Sequence, residues 1–304
     1  MRLIVHGQQA FGKSVLEGIL DKGTDEVVAV YCAPDKEGRP RDPLKELALE
    51  KGLPVHQPAS YKDPEVWKQL ASHDADLCVM AYVLLFVPEE ALNVPRLGSI
   101  QYHPSLLPWH KGPSSINWPI IMGKEKTGLS IFWPDNGLDT GPILLQKEVT
   151  IEPDDTLGSV YFNKLYPLGV EAMLESIELV RNGEPPRVVQ DPDAGSYEGW
   201  CRKENVEINW SNGSDETYNL IRGANPQPGA WTSRQGQEIK VFDCRKVEGE
   251  GPAGEVLAAD DDSFVVATGD GAIQIMKVRA DAGKLSGGDY AREAGIAPGD
   301  RLGN

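Results

Sequence analysis

The stretch "LIVHGQQAFGKSVLEGIL", residues 3–20, indicates the architecture of the N-terminal half of the chain. Its apolar opening, residues 3–6, is typical of a buried strand, and apolar residues then recur at helical spacing through Leu20. Gly7 and Gly12 allow a tight turn between the two patterns. A strand that turns directly into a helix is the first half of a βαβ unit, so the stretch predicts an α/β domain.

The same alternation of apolar runs and helical patterns continues outward from this stretch. Further predicted strands are residues 26–32, 76–82, 99–103 and 128–133, and further predicted helices lie around residues 43–51, 115–122 and 154–183. Strands that alternate with helices predict a Rossmann-like α/β domain, with a mostly parallel sheet and helices on both faces. Ligand sites in such sheets lie just beyond the carboxyl ends of the strands.

The composition changes after residue 183. The run "EPPRVVQDPDAGSYEG", residues 184–199, is rich in Pro, Gly and Asp and is typical of a linker. Beyond residue 204, short runs such as "VEINW" (206–210), "EIKVFDC" (238–244) and "SFVVATGD" (263–270) predict strands at regular spacing. The sequence therefore predicts a first domain over residues 1–185, a linker over 186–203 and a smaller, β-rich, barrel-like domain over 204–304.

Charge and cysteine content restrict the classes of partner. The 304 residues include 30 Lys and Arg against 46 Asp and Glu, a net charge of −16, which disfavours nucleic acid as a partner. The four cysteines show no C-x-x-C spacing, which favours reduced thiols over a zinc site or a disulfide framework. No run approaches the roughly 18–20 apolar residues that cross a bilayer. We expect a cytoplasmic protein with no membrane partner and no metal.

Residues 7–14, "GQQAFGKS", fit the nucleotide-binding pattern G-x-x-x-x-G-K-[ST]. A phosphate cradle needs a run of inward-turned backbone N–H groups, and bulky Phe11 directly before Gly12 disfavours one. A triphosphatase also needs a second carboxylate for magnesium, and the one candidate, Asp135, directly follows a proline. We therefore favour a tight strand-to-helix turn that leaves Lys13 on the surface.

Candidate chemistry lies in "GSIQYHPSLLPWHKG" (98–112) and "SIFWPDNGLDTG" (130–141). Gln101 and His103 are two residues apart on a predicted strand, so their side chains project from the same face. Asp139 lies in the loop that follows the next strand. If the two strands are neighbours, an amide, an imidazole and a carboxylate converge, a set suited to acyl transfer without a covalent intermediate. The alternatives are a structural histidine at His103 and a turn-forming aspartate at Asp139.

The motif "HPSLLPWHKG" (103–112) followed by "GLDTG" (137–141) resembles the formyltransferase family, whose members use 10-formyltetrahydrofolate. "YEGWCRKENVEINW" (197–210) and "LIRGANPQPGAWT" (220–232) extend the resemblance along nearly the whole chain. Within the family the chain is most similar to the hydrolase domains of 10-formyltetrahydrofolate dehydrogenases, and it is also similar to methionyl-tRNA formyltransferases.

The resemblance implies roles for named residues. His103 and Asp139 match the family's catalytic histidine and aspartate. Gln101 stands where the transferases have asparagine and the hydrolase domains an apolar residue, so its amide is a third catalytic candidate. The expected folate contacts lie in the loop after the third predicted strand and in the aspartate loop; they are Leu84, Leu85, Phe86, Val87, Asp135, Asn136, Gly137 and Leu138.

The implied reaction is direct attack of an acceptor on the formyl carbon through a tetrahedral intermediate. Water is the leading acceptor, which would give formate and tetrahydrofolate. The alternatives are methionyl-tRNA or a small amine such as an amino sugar, and a folate-binding sensor with little activity. Because the dehydrogenases carry their aldehyde dehydrogenase domain beyond the matched region, we expect no NAD(P) in this chain.

Overall fold

The computed structural model describes residues 1–183, 185–280 and 283–303. These residues form two compact units. The first comprises Met1–Gly112, Gly128–Val149 and Lys164–Tyr197, and the second comprises Pro113–Thr127, Thr150–Asn163 and the chain from Glu198 onward. The units therefore interleave along the chain, whereas the sequence-based division is consecutive; that division remains a prediction about domains.

Each strand and helix predicted over residues 3–183 has a counterpart in the structure, which also contains elements that were not predicted. The helices are α1 (Gln9–Lys22), α2 (Pro43–Glu50), α3 (Pro64–Ser72), α4 (Glu89–Leu92), α5 (Asn117–Ile121), α6 (Leu157–Ser159), α7 (Tyr166–Arg181), α8 (Ser214–Gly223) and α9 (Gly287–Ala294). The strands are β1 (Arg2–Gly7), β2 (Glu26–Tyr31), β3 (Val55–His56), β4 (Leu77–Ala81), β5 (Ser99–His103), β6 (Lys126–Phe132), β7 (Ile143–Thr150), β8 (Ala230–Arg234), β9 (Gln237–Val247), β10 (Val256–Ala259), β11 (Phe264–Ala267), β12 (Ala272–Ala280) and β13 (Gly283–Ser286).

The first unit is built on a seven-stranded sheet in the order β3-β2-β1-β4-β5-β6-β7. Strands β1 to β5 pair in parallel, and β6 runs antiparallel to β5. On one face α1 and α7 pack closely, and the rings of Phe11 and Tyr102 lie 4.4 Å apart. On the other face Ile4, Cys78 and Met80 pack against side chains of α3 and α4. The prediction of a mostly parallel sheet with helices on both faces is confirmed.

The turn after β1 explains why the nucleotide-binding pattern is misleading. A Cβ atom on Gly7 would lie 2.2 Å from the carbonyl oxygen of Ala81, so the chain approaches β4 too closely for any larger residue. The N–H of Gln9, at the start of α1, donates to the carboxylate of Asp42 at 2.9 and 2.7 Å. A protein carboxylate thus takes the place where a phosphate would bind at a helix N-terminus. Lys13 instead pairs with Glu17 at 3.5 Å.

The predicted helix over 154–183 is divided into three parts. Thr156 caps its start by accepting the Ser159 N–H in a capping box. A π-helical turn, Val160–Leu165, then joins α6 to α7. Gly183, with φ +82°, follows the end of α7, as expected for a C-terminal glycine.

The second unit contains a six-stranded antiparallel sheet in the order β10-β11-β12-β9-β8, with β13 paired to β12. Its core is apolar and includes Val206, Ile208 and Trp210. The prediction of a smaller β-rich part is confirmed, but "VEINW" is not a strand: Glu207 makes one isolated bridge to Trp231. Across the described ranges, no helix has both the length and the apolar character needed to span a bilayer.

Candidate active site

His103 and Asp139 come together in the first unit. His103 ends β5, and the loop after β6 brings the Oδ2 atom of Asp139 to 3.6 Å from the Nδ1 atom of His103. Both residues are buried, at 6% and 8% exposure. At 3.6 Å the two atoms are in contact but too far apart for a hydrogen bond, and they form an ion pair only when the imidazole is protonated.

The backbone of the aspartate loop is held in a conformation that few residues adopt. Asp139 has φ +56°, in the left-handed region that aspartate tolerates better than most residues. A Cβ atom on Gly141 would lie 1.7 Å from the carbonyl oxygen of Trp133, so only glycine fits there. The Gly112 N–H donates to Asp139 Oδ2 at 2.9 Å and orients the carboxylate. Strained backbone of this kind is often found at functional sites.

The backbone around His110 fixes the tautomer of His103. The Nε2 atom of His103 lies 3.0 Å from the carbonyl oxygen of His110. Because a carbonyl only accepts hydrogen bonds, Nε2 carries a hydrogen. The Nδ1 atom, which faces Asp139, is therefore the nitrogen at which a proton can be gained or lost.

Gln101 lies on the same face of β5 as His103. It is opposite Phe132 on β6, as His103 is opposite Ser130, and its side chain is half-buried. Among the residues that the structure describes, no hydrogen-bond partner holds its amide. The amide is thus available to a small molecule.

The two predicted folate-binding segments meet at α4. The side chain of Asn136 accepts the Glu89 N–H at 3.0 Å and donates to the Glu89 carboxylate at 2.9 Å, so the aspartate loop is tied to the segment that follows Val87. Asp135 stabilises its own loop by accepting the N–H of Gly137. Several apolar side chains of the two segments remain exposed, namely Leu84 (56%), Leu85 (37%), Phe86 (54%) and Leu138 (55%).

Val87 differs from its neighbours, because it packs against the core cluster that contains Met80. Tyr82, directly before this segment, has φ +67°, and burial raises the pKa of its hydroxyl. The hydroxyl therefore stays protonated at neutral pH. The segment as a whole presents an apolar surface on a constrained backbone.

Three polar residues that the sequence analysis did not single out support these loops. The side-chain amide of Gln190 donates to the carbonyl oxygens of Asp139 and Gly141, at 2.9 and 2.7 Å. The hydroxyl of Ser196 accepts the His110 N–H at 2.9 Å. Ser130 Oγ accepts the Leu107 N–H at 3.0 Å. Gln190 and Ser196 lie in the Pro- and Asp-rich run that is typical of a linker, so no local signal marks them.

Comparison with known proteins gives consistent matches. Residues 1–177 match the family model "Formyl transferase", and residues 201–294 match "Formyl transferase, C-terminal domain". The chain is 40% identical over 262 residues to the mitochondrial 10-formyltetrahydrofolate dehydrogenase of Homo sapiens. That match covers 84% of the chain but 28% of the dehydrogenase, so the chain spans less than a third of this relative.

Two further matches extend over nearly the whole chain. The methionyl-tRNA formyltransferase of Geotalea uraniireducens is 35% identical over 309 residues, which covers 100% of the chain and 98% of that protein. HypX from Aquifex aeolicus, solved in complex with tetrahydrofolic acid, superposes with a TM-score of 0.68 at 20% identity. That superposition covers 97% of the chain and 47% of HypX, and at this identity it shows the fold alone.

Proposed function

The chain belongs to the formyl transferase family, and on that premise we propose that it removes the formyl group of 10-formyltetrahydrofolate by direct attack of an acceptor, with water as the leading acceptor. One observation carries the proposal. The Nδ1 atom of His103 and the carboxylate of Asp139 lie 3.6 Å apart and buried, at the end of β5 and in the loop after β6.

His103 acts in this proposal through Nδ1. Water attacks the formyl carbon as Nδ1 takes one of its protons, because Nε2 is already committed to the His110 carbonyl. The N–H formed at Nδ1 then donates to the oxyanion, with the Gln101 amide as a second donor. The Asp139 carboxylate stabilises the imidazolium. When the bond from the formyl carbon to N10 breaks, N10 takes the proton from Nδ1, and the products are formate, a proton and tetrahydrofolate.

We propose that the donor's ring system binds the apolar surface of the two predicted folate-binding segments. The exposed side chains of Leu84, Phe86 and Leu138 provide apolar contact, and the bonds between Asn136 and Glu89 hold their two segments together. Flat heteroaromatic rings bind well between apolar side chains when backbone groups satisfy their polar edges. We therefore assign Leu84, Leu85, Phe86 and Val87, with Asp135, Asn136, Gly137 and Leu138, to folate binding.

Water as the acceptor is supported by charge and by Gln101. A net charge of −16 disfavours a polyanionic acceptor. Glutamine carries its amide one methylene further from the backbone than asparagine does, and the position of an oxyanion donor matters on a sub-ångström scale. The 40% identity with a 10-formyltetrahydrofolate dehydrogenase over 84% of the chain is consistent with hydrolysis.

Methionyl-tRNA is the second candidate acceptor. It is favoured by the match to a methionyl-tRNA formyltransferase over 98% of that protein's length, including its C-terminal part. Binding of methionyl-tRNA would require a local basic surface on this acidic chain. A small amine such as an amino sugar is the remaining acceptor.

The test measures formate and tetrahydrofolate from 10-formyltetrahydrofolate with purified protein and no acceptor, with methionyl-tRNA, and with an amino sugar nucleotide. Release without an acceptor, unchanged by either addition, is the expected result. If the donor is consumed only when methionyl-tRNA is present, the acceptor is methionyl-tRNA and not water. Binding of the folate with no turnover under any condition would leave a sensor and overturn the enzymatic proposal.

A further inference from the structure

A segment of the first unit lies across both loops of the candidate site. We call residues 185–197 the strap. It is fixed to the sheet at its start, where Val188 and Ile143 exchange two backbone hydrogen bonds of 2.8 and 2.9 Å. The Trp133 indole donates to the carbonyl oxygen of Pro186 at 3.0 Å, and the Arg187 guanidinium lies 3.7 Å from the Trp133 ring centroid.

Gln190 connects the strap to the aspartate loop. Both hydrogens of its amide are used, because the amide nitrogen donates to the Asp139 and Gly141 carbonyl oxygens at 2.9 and 2.7 Å. This pattern fixes the orientation of the amide, since a carbonyl cannot donate to the opposite group. The residue is 7% exposed, and its Oε1 atom has no partner among the described residues. Gln190 therefore makes two hydrogen bonds to the aspartate loop through its amide nitrogen, while its buried amide oxygen makes none within the described residues.

Ser196 connects the strap to the histidine side of the site. Its hydroxyl accepts the His110 N–H at 2.9 Å, its carbonyl oxygen accepts the Lys111 N–H at 3.0 Å, and its own N–H donates to Pro108 at 3.2 Å. His110 has φ +54°, so its peptide needs support from outside the loop. The carbonyl oxygen of His110 accepts the hydrogen bond from Nε2 of His103.

We propose that the strap is a positioning element, in which Gln190 fixes the Asp139 carboxylate and Ser196 fixes the His103 ring through His110. The proposal rests on the proposed function for its kinetic consequences only. Neither residue touches the reacting atoms: Gln190 acts through the backbone of the aspartate loop, and Ser196 acts through His110 on the His103 ring. Since displacements of about 1 Å in a catalytic group can cost about 100-fold in rate, loss of either contact affects turnover more than folate binding.

The first experiment measures formate release by Gln190→Met and Ser196→Ala. Methionine fills the space of glutamine but donates no hydrogen bond. We expect kcat to fall by about 10- to 100-fold, with KM for 10-formyltetrahydrofolate changed by less than about threefold. Two variants serve as controls. Val189→Ala changes an exposed strap residue, and Gln57→Met removes a comparable amide that donates to Ala33 at the β3 edge of the sheet. Both should keep the wild-type kcat.

Gln190→Glu supplies a readout that a purely structural role would not move. An ionised carboxylate repels the two carbonyl oxygens, whereas a protonated one donates to one of them. The ratio of its kcat to that of the wild type should therefore rise as the pH is lowered from 8 to 5. A ratio that does not change with pH, together with wild-type kcat in Gln190→Met, would overturn the role of Gln190.

Hydrogen exchange separates this proposal from the proposed function. The Gly112 N–H donates to Asp139 Oδ2, so its exchange rate reports the position of the carboxylate without any turnover. We expect this amide to exchange about tenfold faster in Gln190→Met, and at the wild-type rate in Gln57→Met. Faster exchange in an enzyme that proves inactive would support the strap and contradict the proposed function. Unchanged exchange in Gln190→Met would contradict the strap, whatever the activity.

Discussion

Two groups of histidines in the first unit differ in their partners: buried His103 forms the first alone, and buried His6 forms the second with half-buried His56 and His73. His103, on β5, faces a carboxylate at 3.6 Å and a backbone carbonyl at 3.0 Å. His6, on β1, lies among rings instead: its imidazole is 4.6 Å from the Tyr61 ring and 6.5 Å from the Tyr31 ring. Burial lowers the pKa of His6 to about 3. His6 is therefore neutral throughout the physiological range.

Under the proposed function, the two groups differ in what general base catalysis requires beyond burial. A general base must take up and release a proton near the working pH, and that requires a partner for the charged form. Asp139 is such a partner, whereas the tyrosines around His6 contribute ring packing. His56 and His73, whose rings are 5.0 Å apart, extend the second group, and burial lowers the pKa of both.

The largest expected difference between the two groups is kinetic. His103→Ala and Asp139→Ala should each lower formate release by about 100-fold or more, because proton transfer and oxyanion stabilisation are lost. His6→Phe should retain the wild-type rate. Full activity in His103→Ala, or a loss in His6→Phe as large as that in His103→Ala, would contradict the different roles of the two histidines. Thermal melts of all three variants identify any loss that comes from unfolding.

The next difference concerns stability in acid. The unfolded chain protonates His6 near pH 6.5, but the folded chain does so only near pH 3. Between these values the unfolded state binds more protons, so stability falls as the pH falls. We expect His6 alone to lower the free energy of unfolding by about 2 kcal/mol from pH 7.5 to pH 5, and His6→Phe to remove that part of the drop. His56 and His73, whose pKa values are also lowered by burial, account for a further part that His6→Phe leaves in place. An equal drop in wild type and His6→Phe would contradict the buried, neutral state of His6.

The titration of carboxylates does not obscure the contribution of His6 to the pH dependence of stability, as Asp25 illustrates. Hydrogen bonds from the N-terminal amine and Arg181 hold the pKa of Asp25 below its usual value, against the opposing effect of burial. Asp25 therefore stabilises the fold above the pKa of the unfolded chain, near 3.8, and that contribution is lost as the pH falls further. The window from pH 7.5 to pH 5 lies above this loss.

The smallest effect is expected within the second group. The hydroxyl of Tyr31 lies 3.0 Å from Nε2 of His73, and Tyr31 is fully buried. Tyr31→Phe should lower the free energy of unfolding by about 1 kcal/mol, the net value of one hydrogen bond, and leave formate release unchanged. Urea denaturation and the formate assay measure the two effects. A tenfold loss of formate release in Tyr31→Phe would indicate that the second histidine group contributes to the candidate active site.

The sequence predicted the parts of the fold that depend on local pattern. The alternation of strands and helices was sufficient for the parallel sheet, and "SIQYH" was assigned to a strand with the bounds that β5 has, Ser99–His103. The motif pair around His103 and Asp139 indicated the family, and the family matches confirm it. Such motifs can be recognised in a sequence because the local backbone conformation requires glycine or proline at fixed positions.

The strap could not be predicted, because its role depends on contacts between residues far apart in the chain. Gln190 meets Asp139 across 51 positions, and Ser196 meets His110 across 86. A run rich in Pro and Asp has no amphipathic period that would reveal which of its side chains are buried. The short strand β3 was missed because it has two residues, too few for a pattern. The helix α3 and the strand β7 were also not predicted.

A double-mutant cycle on formate release from 10-formyltetrahydrofolate tests whether His103 and Asp139 act as a pair. If the two groups share one function, the double variant His103→Ala with Asp139→Ala should lose about as much activity as either single variant, since removing one partner already disables the other. Losses that multiply, so that the double variant falls by the product of the two single effects, would mean that the residues act independently and would contradict the account.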